Sequence, residues 1–297
     1  MPTLKEIKGR ISSVKNTLKI TSAMKLVASA KLRRAQQAIA ALRPYEQQLT
    51  RILANLSDGA VRDGTASTES GDPVRGGRVI IAMASNSSLC GGFNANVIAK
   101  VRAVRQEGDT VISIGRKMAD AMRKDGFPSP EDFTALAEHP AYTPCADLVS
   151  RLLEEAAAGR MGEVLLVYNH FVSTAKQTPV VETLIGTEDS GSVAEGNYFS
   201  QGFAKNQFPS AVSQDYIIEP SRKELLELLL PKTTKLKLYA ALLDSAAAEH
   251  AARTVAMQTA TDNGENLLSE FTLQYNKGRQ QKITSEILDL AGGQAES

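Results

Sequence analysis

The stretch LKEIKGRISSVKNTLKITSAMKLVASAKLRRAQQAIAALRPYEQQLTRILANL, Leu4 to Leu56, decides the fold. With Leu4 at heptad position a, the a positions are Leu4, Ile11, Leu18, Lys25, Leu32, Ile39, Glu46 and Leu53. The d positions are Ile7, Val14, Thr21, Ala28, Ala35, Leu42, Leu49 and Leu56. Thirteen of these sixteen are apolar and the spacing alternates between 3 and 4, so the stretch is a coiled-coil seam of left-handed supercoil. Such a helix spans about 80 Å at about 1.5 Å per residue. No single globular core is that wide, so the helix requires a partner of similar length. Pro44 removes one backbone hydrogen bond inside the pattern, but the seam resumes at Leu49; a bend is expected there, not a stop.

The partner is expected at the other end of the chain. Residues 232–291 contain no proline and two glycines, Gly264 and Gly278, which leaves the stretch open to a long helix. Apolar residues recur at Leu236, Tyr239, Leu243, Ala246, Met257, Ala260, Leu267, Phe271, Ile283, Ile287 and Leu290. His250, Arg253 and the run from Asn276 to Lys282 interrupt that rhythm. Upstream, Pro220-Ser221 is a helix start, and the helix SRKELLELLL is expected to end at Pro231.

Between the two helices the pattern changes. A Gly/Ser/Asp/Thr-rich linker precedes the apolar β run VIIAMAS, the turn NSSLCGG and the amphipathic helix FNANVIAKVRAVRQ. Strand TVISIG, helix RKMADAMRKD, helix CADLVSRLLEEAAAG and strands EVLLVYNHF and TPVVETLIG follow. This alternation predicts a layered sheet that is partly parallel. Residues 187–214 read as a mobile loop and Tyr216–Glu219 as a last strand. The fold expected is α/β: a long antiparallel coiled coil of the N- and C-terminal helices plus a Rossmann-like α/β middle domain. Its divisions are helix 1–57, linker 58–77, middle domain 78–219 and C-terminal helix 220–297.

Net charge is +1, which makes no overall demand for nucleic acid, but the distribution is uneven. Residues 1–35 hold Lys5, Lys8, Arg10, Lys15, Lys19, Lys25, Lys31, Arg33 and Arg34 against the single acid Glu6. A basic half-helix suits an acidic partner surface, an anionic membrane or nucleic acid; a solvated polar face is the plainer alternative. Cys90 and Cys145 are isolated and suit a reducing compartment, with no disulfide framework. There is no apolar run of membrane-spanning length and no signal peptide, and a helix that begins at residue 3 leaves no room for a transit peptide.

Few residues suggest chemistry. The turn Asn86-Ser87-Ser88-Leu89-Cys90-Gly91-Gly92 stands where a dinucleotide-binding chain places its glycines, but the spacing is wrong, so a tight turn is expected rather than a cofactor site. His139, His170 and His250 lack metal-ligand spacing, and no metal is expected. No nucleophile–base arrangement is visible. The breaks in the seam are more informative: Lys25, beside Met24, and the polar segment Arg279-Gln280 to Lys282 suggest a protein-docking surface, against the alternative of a polar helix face.

Several stretches resemble one family. ITSAMKLVA (Ile20–Ala28) resembles the N-terminal motif of the gamma subunit of F-type ATP synthases, and YNKGRQQKITSE (Tyr275–Glu286) is similar to its C-terminal signature. EHAARTVAMQ (Glu249–Gln258), Thr261-Asp262-Asn263 and LCGGFNAN (Leu89–Asn96) match in the same order, so the resemblance covers the whole chain. It implies a non-catalytic rotor of bacterial type, without a cofactor. Its coiled coil would turn inside a ring of three alpha and three beta subunits, while the middle domain stands against epsilon and the membrane c ring. Proton flow would thereby be coupled to ATP synthesis or hydrolysis on beta, with a part in regulating ATPase activity. It implies a peripheral place on the cytoplasmic side of the cell inner membrane, membrane association through the c ring only, and no nucleic-acid partner. The positions carried over as beta-subunit contacts are Met24, Lys25, Arg253, Arg279 and Gln280.

Departures also matter. Many members carry an Asp and a basic residue where this chain has Asn86-Ser87-Ser88, and an alanine is common where Gly278 stands. The C-terminal signature usually ends Gly-Ala, and here it reads Gly293-Gln294. The regulatory cysteine insert of chloroplast members is not evident, so thiol control is not expected. The rival readings are a dinucleotide-dependent enzyme and a coiled-coil adaptor protein.

Overall fold

A computed structural model describes residues 3–62, 77–186, 218–219 and 221–293. The elements are α1 (Leu4–Arg62), β1 (Gly77–Met83), α2 (Phe93–Val104), β2 (Thr110–Ile114), α3 (Arg116–Lys124), α4 (Thr134–Glu138), α5 (Tyr142–Ala157), β3 (Met161–Phe171), β4 (Gln177–Ile185) and α6 (Arg222–Gly293). The chain forms two compact units. One combines Met1–Ala28 with Arg253–Ser297, and the other is Ser29–Ala252. The expected loop at 187–214 and most of the expected strand at Tyr216–Glu219 lie outside the described residues; Ile218 and Glu219 are not in a strand.

Helix α1 begins with a capping box. Thr3 N–H donates to Glu6 Oε2 at 2.9 Å, while Glu6 N–H donates to Thr3 Oγ1 at 3.3 Å. At the start of α6, Glu224 N–H donates to Ser221 Oγ at 3.3 Å, and the Ser221 hydroxyl donates to Glu224 Oε1 at 3.1 Å. Helix α1 passes unbroken through Pro44 and runs to Arg62, into the stretch expected to be linker. Helix α6 likewise continues through Pro231, so the expected stop there is corrected. An interior proline costs about 3 kcal/mol. The following turns offset that by burying Leu238, Ala241 and Leu242 against the sheet.

The first unit is an antiparallel helix pair whose register is set by size. A Cβ built on Gly264 would lie 2.7 Å from Leu18 Cδ2, and one on Gly278 would lie 3.2 Å from Leu4 Cδ2. Each glycine is thus the hole for a leucine knob. Thr21 Oγ1 meets Thr261 Oγ1 at 2.9 Å in the same register. On α1 every predicted seam position from Leu4 to Ala28 is buried or half-buried. The matching α6 seam is Thr254, Met257, Thr261, Gly264, Leu268, Phe271, Tyr275 and Gly278, all likewise protected. That corrects the expected stripe: Leu267 is 45% exposed, Ile283 47% and Ile287 59%, so they lie off the seam.

The second unit is built on a sheet of order β2-β1-β3-β4, with β1 parallel to both neighbours and β4 antiparallel to β3. Alternate residues of β1 bury on opposite faces, as its continuous apolar run requires. Val79, Ile81 and Met83 pack with Leu148, Val149 and Leu152 of α5 and with α6. Ile80 and Ala82 pack with Val97 and Val101 of α2 and with Met118 and Met122 of α3. The short helix α4 was not anticipated; Asp132 Oδ1 accepts from Thr134 N–H at 2.8 Å where it begins. Residues 240–248 of α6 are buried all round, because sheet, turn and α1 all cover them.

The glycine holes give a test. Gly264→Ala removes about 1 kcal/mol of helix-propensity cost but overfills the seam, which costs about 1–3 kcal/mol. In the full chain it is expected to lower the thermal midpoint. In a Leu18→Ala background, where the space is open, the same change is expected to raise it. A stabilising Gly264→Ala with Leu18 present would refute the knob-in-hole register.

Candidate functional site

The sequence pointed to two places, the glycine-bearing turn after β1 and the polar breaks in the seam. The turn lies at the topological switch point of the sheet. The chain leaves β1 toward β2 on one side and later enters β3 on the other, so the carboxyl ends of β1 and β3 flank a crevice. In dinucleotide-binding folds that crevice takes the ligand. Here the chain's own residues occupy it: Cys90 and Phe93 pack with Ala248 and Ala252 of α6 and with Phe171. Asn169, 1% exposed, donates from Nδ2 to the Phe93 carbonyl at 2.9 Å.

The turn itself is tied down by amides and hydroxyls. Ser85 Oγ donates to the Ser87 carbonyl at 2.6 Å, and Asn94 Oδ1 accepts from Ser85 N–H at 3.0 Å. Leu89 has φ of 66°, a left-handed conformation that costs a non-glycine residue energy, and its side chain is exposed. Asn86 uses both ends of its amide: Oδ1 accepts from Arg116 N–H at 2.9 Å and Nδ2 donates to the Thr134 carbonyl at 2.8 Å. It thereby joins the turn to the starts of α3 and α4. An aspartate could keep the first bond and not the second. The cysteines carry no visible chemistry: burial alone pushes the Cys145 thiol up to about 12, and Cys90 is 1% exposed.

The seam breaks form a different surface, all of it in the first unit. Lys5, Lys8, Arg10, Lys15 and Lys19 are exposed, and none has an ion pair among the described residues. Glu6, the single acid of residues 1–35, is committed to the helix cap. Met24 and Lys25 are half-exposed on α1, and the register sets Lys25 opposite Met257, one turn from half-buried Arg253. Arg279 and Gln280 are exposed, with no side-chain hydrogen bond among the described residues. They lie twenty-two residues along α6 from Met257, about 33 Å at the helical rise. The five positions therefore fall into two groups, Met24, Lys25 and Arg253 together and Arg279 with Gln280 apart.

Exposed apolar residues lie on the same stretch of α1. Ile20 is 60% exposed, Leu26 71% and Val27 58%. They stand at heptad positions c, b and c, off the seam, and that apolarity at outward positions was the available signal. Beyond Gly278 the α1 partner has ended, and residues 279–288 of α6 are all exposed, Ile283, Ile287 and Leu288 among them. Apolar and basic surface of this kind fits docking.

Comparison with known proteins follows the same lines. A family model described as ATP synthase matches residues 3–296. The chain is 43% identical over 302 residues to the ATP synthase gamma chain of Phocaeicola vulgatus, covering 99% of each. It is 41% identical over 300 residues to the gamma chain of Bacteroides thetaiotaomicron, again covering 99% of each. Among solved structures, the rotor of the Euglena gracilis mitochondrial ATP synthase is similar in fold, with a TM-score of 0.57 at 17% identity, over 94% of this chain and 98% of that one.

Asn86→Asp is expected to lower the urea midpoint of the full chain by the equivalent of about 1 kcal/mol, the worth of one hydrogen bond. An unchanged midpoint would show that the Thr134 bond contributes nothing.

Proposed function

The chain belongs to the ATP synthase gamma-chain family, and from that premise we infer that it is the central rotor shaft of a bacterial F-type ATP synthase. It is a non-catalytic subunit. The carrying observation is that the family match extends over both long helices and the domain between them, 99% of the chain. In this reading the helix pair of the first unit turns inside a ring of three alpha and three beta subunits, where the catalytic sites of beta lie. The α/β unit stands against epsilon and the c ring, and rotation driven by proton flow is passed to beta as a sequence of contacts. No helix among the described residues is long and apolar enough to cross a membrane. The shaft reaches the membrane by standing on the c ring, on the cytoplasmic side of the inner membrane.

The exposed surface of the first unit supports this assignment. Five exposed cations that have no ion pair among the described residues, together with exposed Ile20, Leu26 and Val27 on the same helix, offer both charge and apolar area to an acidic lever of beta. Met24, Lys25 and Arg253 would meet that lever at one level of the shaft. Arg279 and Gln280 would hydrogen-bond a beta loop farther along. A well-made charge-assisted hydrogen bond contributes about 1.5–3 kcal/mol.

Reconstitution with the alpha and beta subunits of the same source tests the role. One copy of the chain per three alpha–beta pairs is expected, with ATPase activity that depends on it. Failure to assemble with well-folded partners would return the chain to the adaptor reading. Within the assembled enzyme, Arg279→Ala is expected to reduce coupled ATP synthesis by about tenfold or more, matching the loss of about 1.5 kcal/mol. Full coupled synthesis by that variant would remove Arg279 from the docking set.

A further inference from the structure

One acidic side chain on α6 holds the neck of the β3–β4 hairpin. Asp244, 3% exposed, accepts from Phe171 N–H, 3.3 Å from each carboxylate oxygen. Its Oδ2 stands 2.5 Å from His170 Nδ1. His170 and Phe171 are the last residues of β3 before the hairpin turn. Every element at this junction brings a titratable group: Arg43 and Glu46 from α1, Tyr168 and His170 from β3, Glu182 from β4, Lys237 and Asp244 from α6. The Tyr168 hydroxyl donates to Glu182 Oε1 at 2.8 Å, and Lys237 Nζ donates to the Thr183 carbonyl at 2.7 Å. Arg43, Lys237 and a protonated His170 formally match Glu46, Glu182 and Asp244. Without the His170 proton, the acids outnumber the bases where solvent screens little.

We propose that His170 and Asp244 form a proton-operated latch between the β3–β4 hairpin and helix α6, closed while His170 carries its proton and loosened when the proton leaves. Burial pulls the imidazolium down, but the hydrogen bond and charge of Asp244 more than offset it and hold His170 above its ordinary value. The contribution is therefore complete below the ordinary histidine pKa of about 6.5 and is lost as pH rises through the higher native value. Burial pushes the Asp244 carboxyl up against the lowering pull of His170, the Phe171 N–H and Arg43. Burial, followed by Glu182, pushes Glu46 up as well. Both raised carboxyls act in the same sense as His170, because ionising them costs more in the folded chain. The latch makes one junction within the second unit sensitive to pH near neutrality. Its consequence for torque, which would cross this junction, rests on the proposed shaft role; the latch itself does not.

Hydrogen exchange of the full chain, corrected for intrinsic rates, tests it. Protection of the Phe171 amide and of the neighbouring hairpin amides is expected to fall by about fivefold or more between about pH 6 and about pH 8.5. In His170→Gln, which keeps a polar side chain without the titrating charge, protection is expected to stay at the high-pH level throughout. His139→Gln, at an exposed position, is expected to behave as wild type. Flat protection in the wild-type chain, or an undiminished fall in His170→Gln, would overturn the latch. If His170→Gln does not fold, the His170 imidazole titration followed by NMR decides: loss of hairpin protection must share its midpoint, and separate midpoints overturn the proposal.

Discussion

Leu18 packs into the space that Gly264 leaves empty, and much of the first unit depends on that contact. A coiled coil with uniform large residues can slide by a heptad at little cost. Here a slip of seven residues would set Leu18 against Met257 or Phe271, where there is no hole. The same slip would take Thr21 from Thr261, its partner across the seam at 2.9 Å, and set it against Thr254 or Leu268. Size thus rejects both slips, and polarity adds to it in the one that sets Thr21 against Leu268. A glycine in a helix interior carries a propensity cost of about 1 kcal/mol. Gly264 and Gly278 offset theirs through the close approach of Leu18 and Leu4.

In the second unit the constraint is the small-residue run of α6. AALLDSAAA, residues 240–248, has no long polar side chain, so the helix can be covered on all sides. One side completes the core beneath β1 and β3, and another packs Ala247 and Ala251 against Leu32 of α1. A third, Ala248 and Ala252, enters the crevice at the sheet's switch point. A Rossmann-like sheet therefore serves here as a mount for a helix. The place that would hold a cofactor is filled by alanine, phenylalanine and a buried thiol.

How far the sequence could be read depended on what each pattern counted. On α1 the seam was legible to the residue, because apolar side chains carry nearly all of it. On α6 the seam was legible only in part, at Met257 and Phe271. Hydropathy weights Leu267 and Ile283, whereas the contacts run through Gly264, Thr261 and Gly278, positions chosen for smallness. The strands were legible because β1 and β3 are covered on both faces and so appear as apolar runs. Pro231 was read as a stop from local geometry alone, and tertiary burial of Leu238 and Leu242 outweighed it. Helix α4 is too short for periodicity to register. Of the proposed docking surface, the charged positions were visible as seam breaks and family matches. Ile20, Leu26 and Val27 needed the register before their exposure could be known.

The three polar residues on the α1 seam now separate by what surrounds them. Thr21 is satisfied within the helix pair by Thr261. Glu46 lies half-buried in the junction, among Arg43, Glu182, Lys237 and Asp244, where the hairpin meets α6. Lys25 makes no hydrogen bond or ion pair among the described residues, although the helix opposite it continues. A long side chain can lay its stem along Met257 and keep its ammonium outside, which makes a lysine tolerable at a seam position. Among the described residues that ammonium has no acceptor, and the neighbouring Met24 is likewise only partly covered. A polar seam residue left open in this way is free to serve a contact outside the chain, which is the role the proposed contact with beta gives Lys25.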